Sequence, residues 1–292
     1  MGTPSEEDTM DHHLILGGTG TTGRRVARLL AGRGEPVVTA ARTPGPAAPG
    51  VAPVHLDWDE PATWDPALAG ARSLYVVPPT LVVDVAPPVI LMLERARAAG
   101  VGRVVVLSAR GAERAPGSPL DRAEAATRSS GMPWAVVRPT WFMQNFSEGI
   151  HAAEITRGRI SAPTGEGAAP FVDAEDIAAV VVALLTGDAP LGRAYDLSGP
   201  SALTMAEVAD AIAAVAGFPV RHDDADPDAW QVAVREAGVP ADYAPLLAML
   251  YGVVRAGADA HLSDGVVAAT GRPPGSFAAF AAREAASWRR AA

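Results

Sequence analysis

The chain has 292 residues, 49% of them apolar and 20% charged, enough for a substantial buried core and unlike a disordered tail. Acids outnumber bases, 33 to 24, for a formal charge of −9, which argues against nucleic acid or an anionic membrane as partner because phosphates would be repelled. There is no cysteine and no lysine, so disulfides, thiolate metal sites, Schiff-base lysines and Tyr–Lys catalytic pairs are excluded.

The N-terminal MGTPSEEDTMDHH is acidic and polar, the reverse of a secretory leader, and no apolar run approaches the roughly 20 residues that span a bilayer. The expectation is a soluble, cytoplasmic protein. A strand over residues 13–16 enters GGTGTTG and a helix over 24–31 follows, with Val26, Leu29 and Leu30 at helical spacing and Gly32 and Gly34 as stop signals. Apolar runs at 36–41, 51–57 and 73–77 come next, then a helix with Pro87 and Pro88 in its first turn that ends at Gly100. A fifth run covers 103–108, a helix leads to Gly131, and a sixth run covers 134–138. Continuous apolar strands alternating with helices predict a doubly wound α/β fold around a parallel sheet.

The second half is more helical. A helix over 173–186 opens on acids, a late strand covers 194–198, and Thr204 to Glu207 form a capping box for a helix stopping near Gly217. Residues 226–255 read as helical with interruptions at Gly238 and Pro240, and a last helix starts at Ser276. The expected division is a Rossmann domain over 1–145 and a smaller, mostly helical substrate region over 146–292, some of whose segments return to the sheet.

The run from Gly17 to Gly23 fits GxGxxG and lies between the first strand and the first helix. Glycines there permit a tight turn and close approach of the backbone to a pyrophosphate, and the helix N-terminus supplies amide donors and partial positive charge. Dinucleotide binding is the expectation. An NAD site usually places Asp or Glu at the end of the second strand to hold the ribose 2′-hydroxyl. Here that strand ends in Arg42, which can pair with a 2′-phosphate through a forked, charge-assisted contact, so NADPH is expected.

The segments GGTGTTGRRV, VVPP at 76–79, VVVLSARGAE at 104–113, RPTWFMQNF at 138–146, VDAEDIAAVVVALLT at 172–186, YDLSGPSALTMAEVA at 195–209 and TGRPPGSFAAFA at 270–281 appear in order. Together they resemble the NmrA-like branch of the atypical short-chain dehydrogenases/reductases. The resemblance implies an NAD(P)H site in which Gly17, Thr19, Gly20, Thr21, Thr22 and Gly23 hold the pyrophosphate and Arg42 the 2′-phosphate. It also implies Asp57 beside the adenine, and Val77, Pro78 and Pro79 beneath the nicotinamide ribose. The departure lies where the superfamily's catalytic tyrosine should fall: this chain reads Pro119-Leu-Asp-Arg-Ala-Glu-Ala125. Ser108 is the remaining candidate near the nicotinamide, as a hydrogen-bonding partner of substrate oxygen or as a hydroxyl satisfying local backbone.

Trp141, Phe142 and Met143 follow the sixth strand and are either core or the wall of an apolar pocket, and Tyr251 lies on a helix that could cover it. Six scattered histidines show no ligand spacing, the acids 223, 224, 226 and 228 read as a solvated loop and helix start, and no GxSxG elbow occurs. The expected function is an NADPH-dependent reductase of a carbonyl on a sizeable apolar molecule, such as an aromatic polyketide or quinone-like ketone. Self-activating acceptors of that kind, as in antibiotic biosynthesis, need no Tyr–Lys acid. The alternative is a non-catalytic NAD(P) sensor acting through a protein partner. A nucleotide-sugar epimerase or lignan-type reductase is weakened by the lack of lysine.

Overall fold

The computed structural model describes residues 11–289, and the acidic N-terminal segment before residue 11 lies outside them. The central sheet has seven strands. They are β1 (His12–Leu16), β2 (Val37–Ala41), β3 (Val51–His55), β4 (Ala71–Val76), β5 (Val104–Leu107), β6 (Trp134–Pro139) and β9 (Arg193–Leu197), in the order β3-β2-β1-β4-β5-β6-β9. Adjacent strands among the first six run parallel. The connectivity reverses between β1 and β4, which makes that junction the topological switch point where doubly wound sheets bind ligands. The third and fourth runs end earlier than their apolar patterns suggest, at His55 and Val76. Asp57 and Val77 therefore stand beyond the strand ends, among the loops.

Two compact units are distinguished by their internal contacts. The first holds residues up to Pro79, Asp84–Arg138 and Ala178–Tyr195; the second holds Thr80–Val83, Pro139–Ile177 and the chain from Asp196. In the first unit, alternate residues Leu14 and Leu16 of β1, Leu74 and Val76 of β4, and Val104 and Val106 of β5 share one buried core. Helices α2 (Trp64–Leu68) and α3 (Ala86–Ala98) cover it through Trp64, Leu68, Val89, Met92 and Leu93. The intervening Ile15, Tyr75 and Val105 are buried as well, as expected of strands covered on both faces. Helices α1 (Gly23–Ala31) and α4 (Pro119–Ser129) complete the connections that matter for the site.

The second unit has a core of aromatic and aliphatic residues, among them Phe146, Phe171, Ile212, Trp230, Phe277, Phe280 and Trp288. Two small ladders escape the sequence pattern because each strand is only two or three residues long. One pairs β7 (Arg159–Ser161) with β11 (Arg221–Asp223), the other β8 (Ala168–Ala169) with β10 (Leu203–Thr204). The capping box closes as expected on α7 (Met205–Ala216): the Glu207 amide donates to Thr204 Oγ1 and the Thr204 amide to Glu207 Oε2. The helical stretch 226–255 is two helices, α8 (Pro227–Glu236) and α9 (Ala244–Arg255), with Gly238 at φ 100° between them. Asp226 caps α8, and Asp224 pairs with Arg255, so this acidic cluster is structural. Among the described residues, no helix is long and apolar enough to cross a membrane, and no group of three His, Cys, Asp or Glu side chains could hold a metal ion.

Candidate functional site

The Gly17–Gly23 turn joins β1 to α1 at the switch point. Gly17 takes φ 63°, and the Gly20 amide donates to its carbonyl at 2.8 Å, which closes the turn. A Cβ on Gly18 would lie 2.4 Å from Thr39 Cβ on β2, and one on Gly23 would lie 2.2 Å from the Gly17 carbonyl oxygen. Both distances are below any real Cβ contact, so glycine at these two positions is what lets turn, helix and sheet approach each other. Thr19 and Gly20 are exposed at the tip, Thr21 is half-buried, and Thr22 is buried, its Oγ1 accepting a 3.1 Å hydrogen bond from the Tyr75 hydroxyl. Tyr75, not anticipated from the sequence, thus props the turn from β4. The first turn of α1 carries no acidic residue, leaving its partial positive charge uncompensated for an anion.

The other expected cofactor residues lie in the first unit as well. Val77 lies against Gly17, its Cβ 3.2 Å from where a Gly17 Cβ would stand, and Pro78 and Pro79 follow it half-buried. Arg42 is exposed directly after β2, and its guanidinium has no hydrogen-bond or ion-pair partner among the described residues. Its carbonyl is tied to His55 Nδ1 at 2.9 Å, and Gly45, three residues on, lies against the Thr19 methyl. An unspent cation is thereby held at the end of β2, on a loop that touches the glycine-rich turn. Asp57 is anchored by its backbone, with its amide donating to Thr63 Oγ1 and its carbonyl accepting from the Trp64 indole. One of its carboxylate oxygens accepts the Asp59 amide.

Ser108 stands just past β5, with its amide donating to the Val137 carbonyl at 2.8 Å. Its hydroxyl donates to Glu124 Oε1 at 2.6 Å. Glu124, on α4, is 1% exposed, and Arg138 at the end of β6 grips it through Nε, at 2.9 Å, and Nη2; Arg128 Nη1 adds a 3.3 Å contact. A carboxylate can only accept, so the serine proton is committed to Glu124 and only lone pairs of Oγ remain for a ligand. Glu124 and Arg128 lie four residues apart on one face of α4. Neither Glu124 nor Arg138 is singled out from sequence, although the i, i+4 Glu–Arg spacing and an arginine ending an apolar strand were available signals.

Within the second unit, Trp141 and Tyr251 come together, their rings stacked at 4.5 Å and 11°. Trp230 meets the Tyr251 ring edge-on at 5.0 Å, and the Tyr251 hydroxyl is 3.0 Å from His151 Nε2, whose Nδ1 lies 3.4 Å from Glu154. Burial pushes the Tyr251 phenol well above its ordinary pKa, with Glu154 adding to the shift. Met143, on a short 3₁₀ turn, and Tyr251 are buried in the aromatic core. Trp141 and Phe142 remain half-exposed.

A family model described as NAD(P)H-binding matches residues 17–188 of the chain. An uncharacterized oxidoreductase, YesF, of Bacillus subtilis (strain 168) is 38% identical over 94% of this chain and 96% of its own length. An NAD(P)H azoreductase of Xenophilus azovorans is 37% identical over 94% of this chain and 98% of its own. The NADPH complex of a quinone oxidoreductase from Escherichia coli shares the fold, with a TM-score of 0.77 at 23% identity over 92% of this chain and 98% of that one.

Proposed function

The chain belongs to the NAD(P)H-binding family and is an NAD(P)H-dependent oxidoreductase; from that premise we propose that it uses NADPH to reduce a quinone-like or aromatic carbonyl acceptor without a protein acid of the Tyr–Lys type. The residues present fit the cofactor. The turn at Gly17–Gly23 offers backbone and little side-chain bulk at its exposed tip, α1 begins without an acid, and Arg42 is a cation unpaired among the described residues, where a 2′-phosphate would lie.

Bound NADPH would supply a hydride. What the chain adds is binding and orientation, and positioning alone is worth roughly 7–11 kcal/mol of barrier in well-aligned systems. The single observation that carries the substrate reading is the Ser108–Glu124 hydrogen bond in a chain without lysine. With the serine proton committed, no group at this position polarises a simple ketone as an acid would. Quinones accept hydride into a conjugated system and take their remaining proton from water, leaving as hydroquinones. The azoreductase relative and the quinone oxidoreductase neighbour also carry names that point to conjugated acceptors.

The test is steady-state NADPH oxidation with a naphthoquinone, a phenolic aromatic ketone and a simple dialkyl ketone. Turnover should be fastest with the quinone and absent with the dialkyl ketone. No oxidation above background with any of the three, while NADPH still binds, would replace this reading with that of a cofactor sensor.

A further inference from the structure

A polar cavity of about 260 Å³ opens in the first unit, at the N-terminal edge of the sheet. It is lined by His13, Glu35, Arg72, Ser73, Gly102, Arg103, Leu185 and Thr186. His13 begins β1, Ser73 lies beside it in register on β4, and Gly102 and Arg103 lead into β5. Gly17 lies four residue steps along the chain from His13, about 13 Å at 3.3 Å per step, so this cavity is remote from the cofactor turn.

Hydrogen-bond directions here follow from chemistry alone. Arg72 contacts both Glu35 and His13 Nε2, the latter at 2.6 Å. A guanidinium only donates, so Nε2 must be the bare, accepting nitrogen of a neutral imidazole. The proton is then on Nδ1, which donates to Ser73 Oγ at 2.6 Å. Burial, reinforced by Arg72, lowers the His13 pKa to about 4, in keeping with this neutral tautomer. The serine oxygen has accepted, its own proton has no acceptor among the described residues, and the side chain is 1% exposed at the cavity wall. A buried donor without an acceptor costs free energy that a ligand recovers.

Beside it, Arg103 spends one N–H on the Leu184 carbonyl at 3.3 Å and has no further partner among the described residues. Two guanidinium groups and one carboxylate line the cavity, with the imidazole neutral, so its lining is net positive in a chain whose overall charge is −9. We propose that this cavity binds a small oxyanion, a phosphate or carboxylate group, with Arg103 and the Ser73 hydroxyl as its donors and Arg72 as supporting charge. Glu35, held by Arg72, limits the occupant to one of modest charge.

The test titrates the full-length protein with inorganic phosphate, and separately with acetate, at constant ionic strength, reading melting temperature and calorimetric heat with and without saturating NADPH. The expected result is a saturable response that NADPH leaves intact. Arg103→Gln and Ser73→Ala should each raise the dissociation constant roughly tenfold or more, the loss of about one good hydrogen bond. Phosphate without acetate assigns a phosphoryl ligand and acetate without phosphate a carboxylate; either upholds the site. No saturation, unchanged affinity in both variants, or abolition by NADPH (which would place the anion at the cofactor turn) would overturn it. Ser73→Ala keeps the Arg103 contact to Leu184, so the conclusion does not depend on the fold of the arginine variant.

Discussion

The hydroxyl of Ser108 and the carboxylate of Glu124 are joined by a 2.6 Å hydrogen bond whose donor is the serine. The direction matters more than the distance. A serine poised to polarise a carbonyl must keep its proton for the substrate, and this one gives it to a neighbour that cannot return it.

Replacing Ser108 with Ala should therefore lower kcat less than tenfold, far short of the roughly 10²–10³ lost with a true oxyanion donor. It should also destabilise the fold by about 1–3 kcal/mol, because a hydrogen bond to a charged group is lost. A hundredfold fall in kcat with an unchanged melting temperature would mean that the hydroxyl turns to the substrate. Glu124→Ala should be more damaging, about 3 kcal/mol by urea unfolding, because the half-buried Arg138 guanidinium loses its two-point carboxylate partner and keeps the 3.7 Å pair with Glu113.

Arg42→Ala should weaken NADPH roughly 10- to 100-fold, the worth of one charge-assisted contact, and leave NADH nearly unchanged. Fluorescence titration with both coenzymes measures this. Equal losses for the two would remove the 2′-phosphate from Arg42.

Gly23→Ala forces a methyl to 2.2 Å from the Gly17 carbonyl oxygen, where the obstacle is backbone. We expect loss of detectable coenzyme binding and a stability penalty of about 1–3 kcal/mol from overpacking. Gly34→Ala is an informative control: nothing lies within 4 Å of a Cβ there, so its φ of 79° supplies backbone strain without a clash, and coenzyme binding should survive. Binding by the Gly23 variant at wild-type affinity would show that the turn can open.

His13 gives the fold an acid sensitivity of predictable sign. Burial, with Arg72 beside it, lowers its pKa from 6.5 to about 4. Above pH 6.5 both folded and unfolded chains hold it neutral. Between 6.5 and 4 only the unfolded chain takes up the proton, so stability falls as pH falls through that window, by at most about 3 kcal/mol. Urea unfolding of wild type and His13→Gln at pH 7.5, 6 and 5 should show the wild-type slope and its loss in the variant. A wild-type midpoint that stays flat over that range would contradict the buried neutral imidazole.

What can be read from the sequence is local. GGTGTTG between an apolar run and a helical pattern announces the turn, and Arg42 announces itself by occupying the place of an acid. The parallel, helix-covered sheet follows from alternation, but the order of its strands does not. Glu124 and Arg138 are opaque because their partnership spans α4 and β6, and nothing in the stretch between these residues, 14 apart, says that both side chains face one point. For Tyr251 and Met143 the sequence leaves core and pocket wall both open. An apolar residue after a strand looks the same whether it lines a pocket or fills a core, and the His151 hydrogen bond that decides the matter joins residues 100 apart in the chain. Short ladders such as β8 with β10 leave no periodicity to detect.

The last strand of the central sheet is supplied by residues 193–197, long after the other six have been made. A fragment stopping at Arg138 would leave β6 as a bare margin, with the Trp134 carbonyl, which accepts the Gly192 amide in the complete sheet, and the other outward backbone groups of the strand open to any passing chain. Truncation there should yield inclusion bodies rather than a miniature coenzyme carrier, and on the ribosome the nascent sheet must wait more than fifty residues for its protective selvedge.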